Sequence, residues 1–544
     1  MNRTHSRLHP LAAFFTALIA LVLATASLTA VDTSVAAASS SGGAPIVNIE
    51  GGVVRGVAVP GGYVFRGLPY AAPPLGDLRW RPPEPPARWN GVRDATEFAP
   101  ACPQLPSMFS TGPTDEDCLY LNVYTPGLGR SRSGDEGYGG HRPVLVWIHG
   151  GGWTVGSGRD FDATKLMRDG IVVVTINYRL GALGFLAHPA LASRPDGPSG
   201  NYGHMDQQAA LRWVHENIDR FDGNPDNVTI DGQSAGALSV LVHLVSRGSR
   251  GLFDRAIVES GSFALIQQSL AAGEAFGQTF STSVGCPDQT AECLRSLPVA
   301  DLVSNFPGAA IPGIIDGKVL TESLGTALAA GRFAHVPVLN GVTHDEQRVF
   351  VTELGLTVTG GIYVPIPEPI TPESYERVIA AVLGVSASRA TSIAAEYPVD
   401  AYPSPPIAFS TLDNDASWAC PALQMDHWLA ERVPTFAYEF NDDNAPTRYF
   451  PALDPTVATH TSEIPYIFDL PGAPFQGQLN PDQQELAASM RAAWANLAVS
   501  GNPSTQGVAW PSFDDAHVMS LVPPQPQVEA DFASRHHCSF WGAR

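Results

Sequence analysis

A five-residue turn constrains this chain more than any other feature. Gly232-Gln233-Ser234-Ala235-Gly236 follows the β-branched run Asn227-Val228-Thr229-Ile230 and precedes Ala237-Leu238-Ser239-Val240-Leu241-Val242. A strand, a tight turn and a helix with a serine at the apex form the pattern of a nucleophile elbow. Such a turn is strained. Glycines two residues before and after the serine remove side chains that would collide across it. The helix that starts there points its positive end toward charge forming near Ser234. The pattern becomes chemistry only if the rest of the chain supplies a base, an acid and an oxyanion hole.

Upstream, Leu145-Val146-Trp147-Ile148 reads as a strand feeding His149-Gly150-Gly151-Gly152-Trp153. Three successive glycines let backbone N–H groups turn inward and let a carbonyl approach. Losing one oxyanion donor costs about 3–4 kcal/mol in a transition state. A free hydroxyl is a poor nucleophile near neutral pH, so Ser234 needs a base, itself oriented by a buried carboxylate. In chains with this elbow the order is serine, acid, histidine. Gly341-Val342-Thr343-His344-Asp345-Glu346 places two acids at the end of a strand. Ala458-Thr459-His460-Thr461-Ser462-Glu463-Ile464-Pro465-Tyr466 places a histidine in a loop before an apolar segment. Order alone leaves His335, His344, His427, His460, His517, His536 and His537 eligible. His344-Asp345-Glu346 has metal-ligand chemistry, but no other segment has matching ligand spacing. Neither a metal nor an organic cofactor is expected.

The chain has 544 residues and a formal charge of −21, which opposes a nucleic-acid partner. Residues 1–38 read as a secretory signal peptide: Arg3 and Arg7, an uncharged apolar run from Leu11 to Ala24, then small residues with candidate cleavage after Ala26, Ala30 or Ala38. No later uncharged run reaches spanning length, so no stable membrane insertion is expected after its removal. Residues 39–544 show no internal repeat and read as one catalytic domain. An early antiparallel hairpin is predicted from Ile46 to Val59. Strands are predicted at Leu119–Tyr124, Val144–Ile148, Ile171–Ile176, Val228–Ile230, Phe253–Glu259 and Val336–Val342, and a helix over Asp206–Ile218. Gly127 to His141 reads as an exposed loop, and residues 355–375, rich in Gly and Pro, as a cap or a flank of an entrance. Alternating strands and helices imply an α/β sheet with helices on both faces. Six cysteines behind a signal peptide suggest disulfides, and their spacing leaves fifteen pairings open.

Several blocks together resemble the type-B carboxylesterases, the secreted esterases and lipases that include the cholinesterases. They are Phe65-Arg66-Gly67-Leu68-Pro69-Tyr70-Ala71, Glu116-Asp117-Cys118-Leu119-Tyr120-Leu121-Asn122-Val123, Asn177-Tyr178-Arg179-Leu180-Gly181, Gly200-Asn201-Tyr202-Gly203 and Glu259-Ser260-Gly261-Ser262. The resemblance covers residues 45–544. It implies an α/β-hydrolase fold with a large, mostly parallel central sheet, Ser234 as nucleophile, Glu346 rather than Asp345 as acid, and His460 as base. It further implies an oxyanion hole from the N–H groups of Gly151, Gly152 and Ala235, and a supporting place for Ser260 near the triad. It would pair Cys102 with Cys118, Cys286 with Cys293 and Cys420 with Cys538, and join Arg79 to Glu116 in a structural salt bridge. Loop entropy gives the two short disulfides about 2–3 kcal/mol each and the long one about 5.

The chain departs from that pattern at four places. Gln233 replaces a glutamate, so a buried negative charge beside the site is missing. Asp231 replaces an aromatic, Asp222 a small or basic residue, and His204 an aliphatic one. None is expected to touch the triad. The Cys102 to Cys118 loop has no tryptophan, the residue with which cholinesterases hold a quaternary ammonium. Met108 and Phe109 could instead offer an apolar wall. The expectation is a secreted serine carboxylesterase acting on neutral small-molecule esters through an acyl-enzyme. The alternatives are a lipase acting on aggregated long-chain esters and a catalytically silent adhesion protein of the same fold. The oligomeric state is left open.

Overall fold

A computed structural model describes residues 44–542 apart from 108–113, 129–140, 193–196, 307–312, 448–452, 454–455, 475–476 and 515–516. The expected signal peptide, Met108 and Phe109, and most of the Gly127 to His141 loop lie outside the described residues.

An eleven-stranded sheet forms the centre. From one edge to the other its strands are Gln527–Glu529, Val518–Leu521, Thr435–Phe440, Val338–Thr343, Arg255–Glu259, Gly223–Gln233, Arg142–Ile148, Val172–Ile176, Tyr120–Thr125, Gly62–Pro69 and Val57–Val59. Those from Val518–Leu521 across to Val172–Ile176 run parallel, and antiparallel strands flank them on both sides. Val172–Ile176 is buried at every residue, as its unbroken β-branched run predicts for a strand covered on both faces. The N-terminal hairpin, Ile46–Ile49 with Gly52–Arg55, pairs with Val92–Asp94 in a sheet of its own. The predicted helix runs from Tyr202 to Asn217.

Register decides where chemistry can occur. Gly232 lies beside Ile148 on one side and Val258 on the other, and Glu259 lies beside Gly341. The carboxyl ends of four adjacent parallel strands therefore emerge side by side, the place where open α/β sheets put their sites. Residues 355–375 form a hairpin, Leu356–Thr359 with Ile362–Pro365, ahead of the helix Tyr375–Leu383.

Three disulfides join Cys102 to Cys118, Cys286 to Cys293 and Cys420 to Cys538. Arg79 meets Glu116 through Nε at 2.8 Å and donates from Nη1 to the carbonyls of Arg295 and Leu297, tying the first disulfide loop to the segment after the second. Among the described residues no single helix is long and apolar enough to cross a membrane.

The third disulfide lies beside an ionic clasp. The ring nitrogens of buried His536 lie 2.6 Å from Asp415 Oδ1 and 2.6 Å from Glu439 Oε1. Burial opposes the charged ring, but Glu439 and Asp415 outweigh it and raise the His536 pKa to about 10. Burial likewise opposes ionised Glu439, yet His536, His344 and Arg535 bring it down to about 2. The His536 contribution to stability is full below its ordinary pKa of 6.5 and is lost as pH rises through about 10. The Glu439 contribution is full above 4.5 and is lost as pH falls through about 2. His536→Gln is expected to cost about 3–5 kcal/mol near pH 6, the usual penalty for breaking a buried pair. The cost should be clearly smaller at pH 10. Denaturant midpoints of both proteins at the two pH values test this, and an equal loss at both would rule out the ionic origin.

Candidate active site

The strand Gly223–Gln233 stops at the elbow, and the helix Ala235–Val245 begins immediately after Ser234. Ser234 holds φ 58° and ψ −123°, a strained backbone that its surroundings fix. Its N–H donates to Glu259 O at 2.9 Å. A Cβ on Gly232 would lie 2.6 Å from the Gly236 carbonyl carbon, and one on Gly236 only 1.9 Å from Ile148 O. Both glycines are therefore demanded by close approach, one across the turn and one against the neighbouring strand.

His460 Nε2 lies 2.9 Å from Ser234 Oγ. His460 Nδ1 lies 2.5 Å from Glu346 Oε2. Glu346 is fully buried. Its Oε1 accepts the Thr343 N–H at 2.8 Å, and its own N–H donates to Asn414 Oδ1 at 2.9 Å. Asp345 faces elsewhere: it accepts from Arg348 Nη2 at 3.0 Å and lies 2.7 Å from His344 Nδ1. Of the two acids, Glu346 is the one at His460. The other histidines that chain order allows have other partners: His536 is in the ionic clasp, His537 meets Glu396 and His517 meets Asp514.

The glycine run lies against the elbow, where a Cβ on Gly150 would come 3.1 Å from Ser234 Cβ. Gly151 and Gly152 adopt φ of 98° and 62°. The N–H groups of Gly151, Gly152 and Ala235 find no acceptor among the described residues. Gln104 braces this loop by accepting the Gly156 N–H at 2.8 Å and donating to Gly156 O at 3.0 Å. Tyr178 stacks on His149 at 4.4 Å and donates to its carbonyl at 2.7 Å. Burial lowers the His149 pKa to about 4, so this ring is neutral and shapes the loop without charge.

One expectation needs correction. The departures from the resembled pattern are not all remote from the triad, since Gln233 Nε2 lies 3.4 Å from His460 Nε2. Buried acids lie close to this glutamine and behind the elbow. Fully buried Glu463 lies beside Gln233, and fully buried Asp231 and Glu259 lie beside each other behind the elbow. Trp494 Nε1 donates to Glu259 Oε1 at 2.7 Å. Burial pushes all three carboxyls well above the usual range, which favours their neutral forms. Asp231 and Glu463 were both visible in the sequence. A carboxyl's burial depends on contacts distant in the chain and has no local signal.

Of the other departures, His204 is a buried neutral ring edge-on to Trp153 and Phe185, its pKa lowered to about 3 by burial and by His243. Asp222 caps a turn at φ 67° and pairs with Arg142 at 3.3 Å. Ser260 follows the strand Arg255–Glu259. Its N–H donates to Gly341 O, and its buried hydroxyl has no hydrogen-bonding partner among the described residues.

Aromatic side chains wall His460. The ring centroids of Trp418 and Phe350 lie 5.0 and 5.3 Å from His460, and Phe263 packs on Trp418 at 4.4 Å. Trp418 belongs to a π-helical turn, Asp415–Ala419, inside the helical run from Pro405 to Ala430. Such turns interrupt helices most often at functional sites. Nothing in the local sequence announces this one.

The carboxylesterase family model matches residues 43–541. This chain belongs to the carboxylesterase family. It is a carboxylic ester hydrolase. An acylcarnitine hydrolase of Mus musculus is 34% identical over 516 residues, covering 89% of this chain and 88% of its own. The para-nitrobenzyl esterase of Bacillus subtilis (strain 168) is 32% identical, covering 88% and 94%. The fumonisin B1 esterase of Sphingopyxis macrogoltabida is 35% identical, covering 83% and 81%. Among solved structures, a PNB esterase superposes with a TM-score of 0.74 at 30% identity, over 90% of this chain and 98% of its own. The sheet and its flanking helices are those of the α/β-hydrolase fold. Among the described residues of this carboxylesterase, two clusters bring three ligand atoms together. They are Cys286, Asp288 and Cys293, and His344, Glu439 and His536. The first has its cysteines in a disulfide, and in the second both nitrogens of His536 already face carboxylates.

Proposed function

We propose that this carboxylesterase is a secreted serine esterase that hydrolyses neutral small-molecule esters through an acyl-enzyme on Ser234. The observation that carries the reading is the unbroken line from Ser234 Oγ through His460 to the buried Glu346 carboxylate. His460 takes the hydroxyl proton as Ser234 attacks the ester carbonyl, and Glu346 steadies the imidazolium. Gly151, Gly152 and Ala235 offer N–H groups to the oxyanion. His460 then hands its proton to the departing alcohol, and water reverses the sequence on the acyl group. Three disulfides fit an oxidising compartment, in keeping with a secretory leader at residues 1–38.

Relatives named for acylcarnitine, fumonisin B1 and para-nitrobenzyl esters share this scaffold, so preference resides in the lining rather than the fold. The wall of Trp418, Phe350 and Phe263 carries no charge, which favours uncharged acyl or alcohol groups. A panel of esters varying acyl and alcohol size separately is the direct test, run beside fluorophosphonate labelling of Ser234. Labelling with highest kcat/KM on short, soluble neutral esters is expected. A sharp rise in rate above the solubility limit of a long-chain ester would replace this reading with a lipase. No labelling would remove the serine mechanism altogether.

A further inference from the structure

The hairpin Leu356–Thr359 with Ile362–Pro365 has no part in the mechanism above, yet it carries a phenol to the oxyanion loop. A Cβ on Gly152 would lie 2.8 Å from the Tyr363 hydroxyl oxygen and 3.2 Å from the nearest ring carbon. The Tyr363 side chain therefore rests directly on the Gly152 backbone. The hairpin is held in register with the acid loop. Gln347, next to Glu346, donates from Nε2 to Val358 O at 2.8 Å and accepts the Val358 N–H at 3.2 Å. Thr357 donates to buried Asp413, whose other oxygen accepts the Ser417 hydroxyl at 3.0 Å. The Tyr363 ring also lies 6.2 Å from that of Phe350, which in turn lies 5.3 Å from His460. Acid loop, aromatic wall and oxyanion loop thus converge on one side chain.

The Tyr363 hydroxyl hydrogen-bonds to no described residue. The ring is partly reached by solvent, yet burial in the surrounding protein pushes the phenol up to about 12. The group stays protonated, and so a donor, at any pH at which an imidazole base works.

We propose that the Tyr363 hydroxyl is a substrate-facing donor of the oxyanion region, giving a hydrogen bond to the ester carbonyl oxygen beside Gly152. The proposal rests on the serine-esterase reading. A donor without a protein partner breaks no internal bond to serve the substrate. Its bond also strengthens as the carbonyl oxygen gains charge, so it acts on the transition state more than on the bound ester.

Tyr363→Phe tests it, because the ring stays and only the donor goes. A primary oxyanion donor carries about 10²–10³ in kcat. One that adds to backbone N–H groups is expected to carry about tenfold, by the same reasoning on a shared charge. The expected result is a roughly tenfold fall in kcat, similar for esters of different alcohol size, with KM little changed and the thermal midpoint preserved. A kcat within twofold of the parent overturns the proposal, as does a loss confined to KM. Fluorophosphonate labelling of Ser234 separates the two readings. If the parent labels and Tyr363→Phe turns over normally, only the proposal falls; if the parent does not label, the serine-esterase reading falls and the proposal with it.

Discussion

Ser234→Ala is expected to lower kcat by about 10⁵–10⁶ while leaving the protein folded. The size follows from the reaction: without Oγ there is no acyl-enzyme, and His460 has nothing to deprotonate. What remains is the binding and oxyanion stabilisation of the empty site, which in comparable enzymes still gives about 10³–10⁴ over water. Folding should survive because the elbow is held by other groups. The Ser234 N–H bonds Glu259 O, and Gly232 and Gly236 make the close approaches. The measurement is turnover of a soluble ester beside a thermal unfolding curve. Normal activity in a folded Ser234→Ala protein would overthrow the mechanism.

Glu346→Gln should come next in size, at about 10⁴ in kcat. The side-chain shape is nearly preserved, but an amide can turn its N–H toward His460 Nδ1. The imidazole then takes the tautomer with its proton on Nε2, which cannot accept from Ser234. Asp345→Asn is the informative control. Its partners are His344 and Arg348, not His460, so stability should fall while kcat stays within about tenfold, since no charge at the reacting atoms is removed. The opposite ranking of the two variants would move the acid's role to Asp345.

The parts of this architecture that sequence could announce are those fixed by neighbours along the chain. The elbow is legible because backbone conformation at Ser234 forces glycine at 232 and 236. The glycine run is legible for the same steric reason. The buried parallel strand Val172–Ile176 shows itself by unbroken β-branching. His460 and Glu346 are another matter. Chain order left seven histidines and two acids open, and family likeness rather than residue chemistry narrowed them. The Glu463 to Gln233 contact, the Asp231 to Glu259 pair and the Tyr363 roof were not legible at all. Each is made between segments far apart in sequence, and each depends on burial, which a carboxyl or a phenol does not advertise. The same holds for Thr435–Phe440 and Val518–Leu521, strands of the central sheet that no expectation named.

The π-helical turn Asp415–Ala419 faces two ways. Trp418 on one side walls His460, while Asp415 on the other side receives His536 from 121 residues further along. Cys420 follows immediately and is bonded to Cys538. A segment more than a hundred residues further along thus locks the turn on which His460 leans. A chain still being made can assemble its elbow and its glycine loop, but it cannot fix that wall until residues 536–538 have been added. A product that lacked His536 and Cys538 would keep Ser234, Glu346 and His460 and lose what holds their surroundings in place.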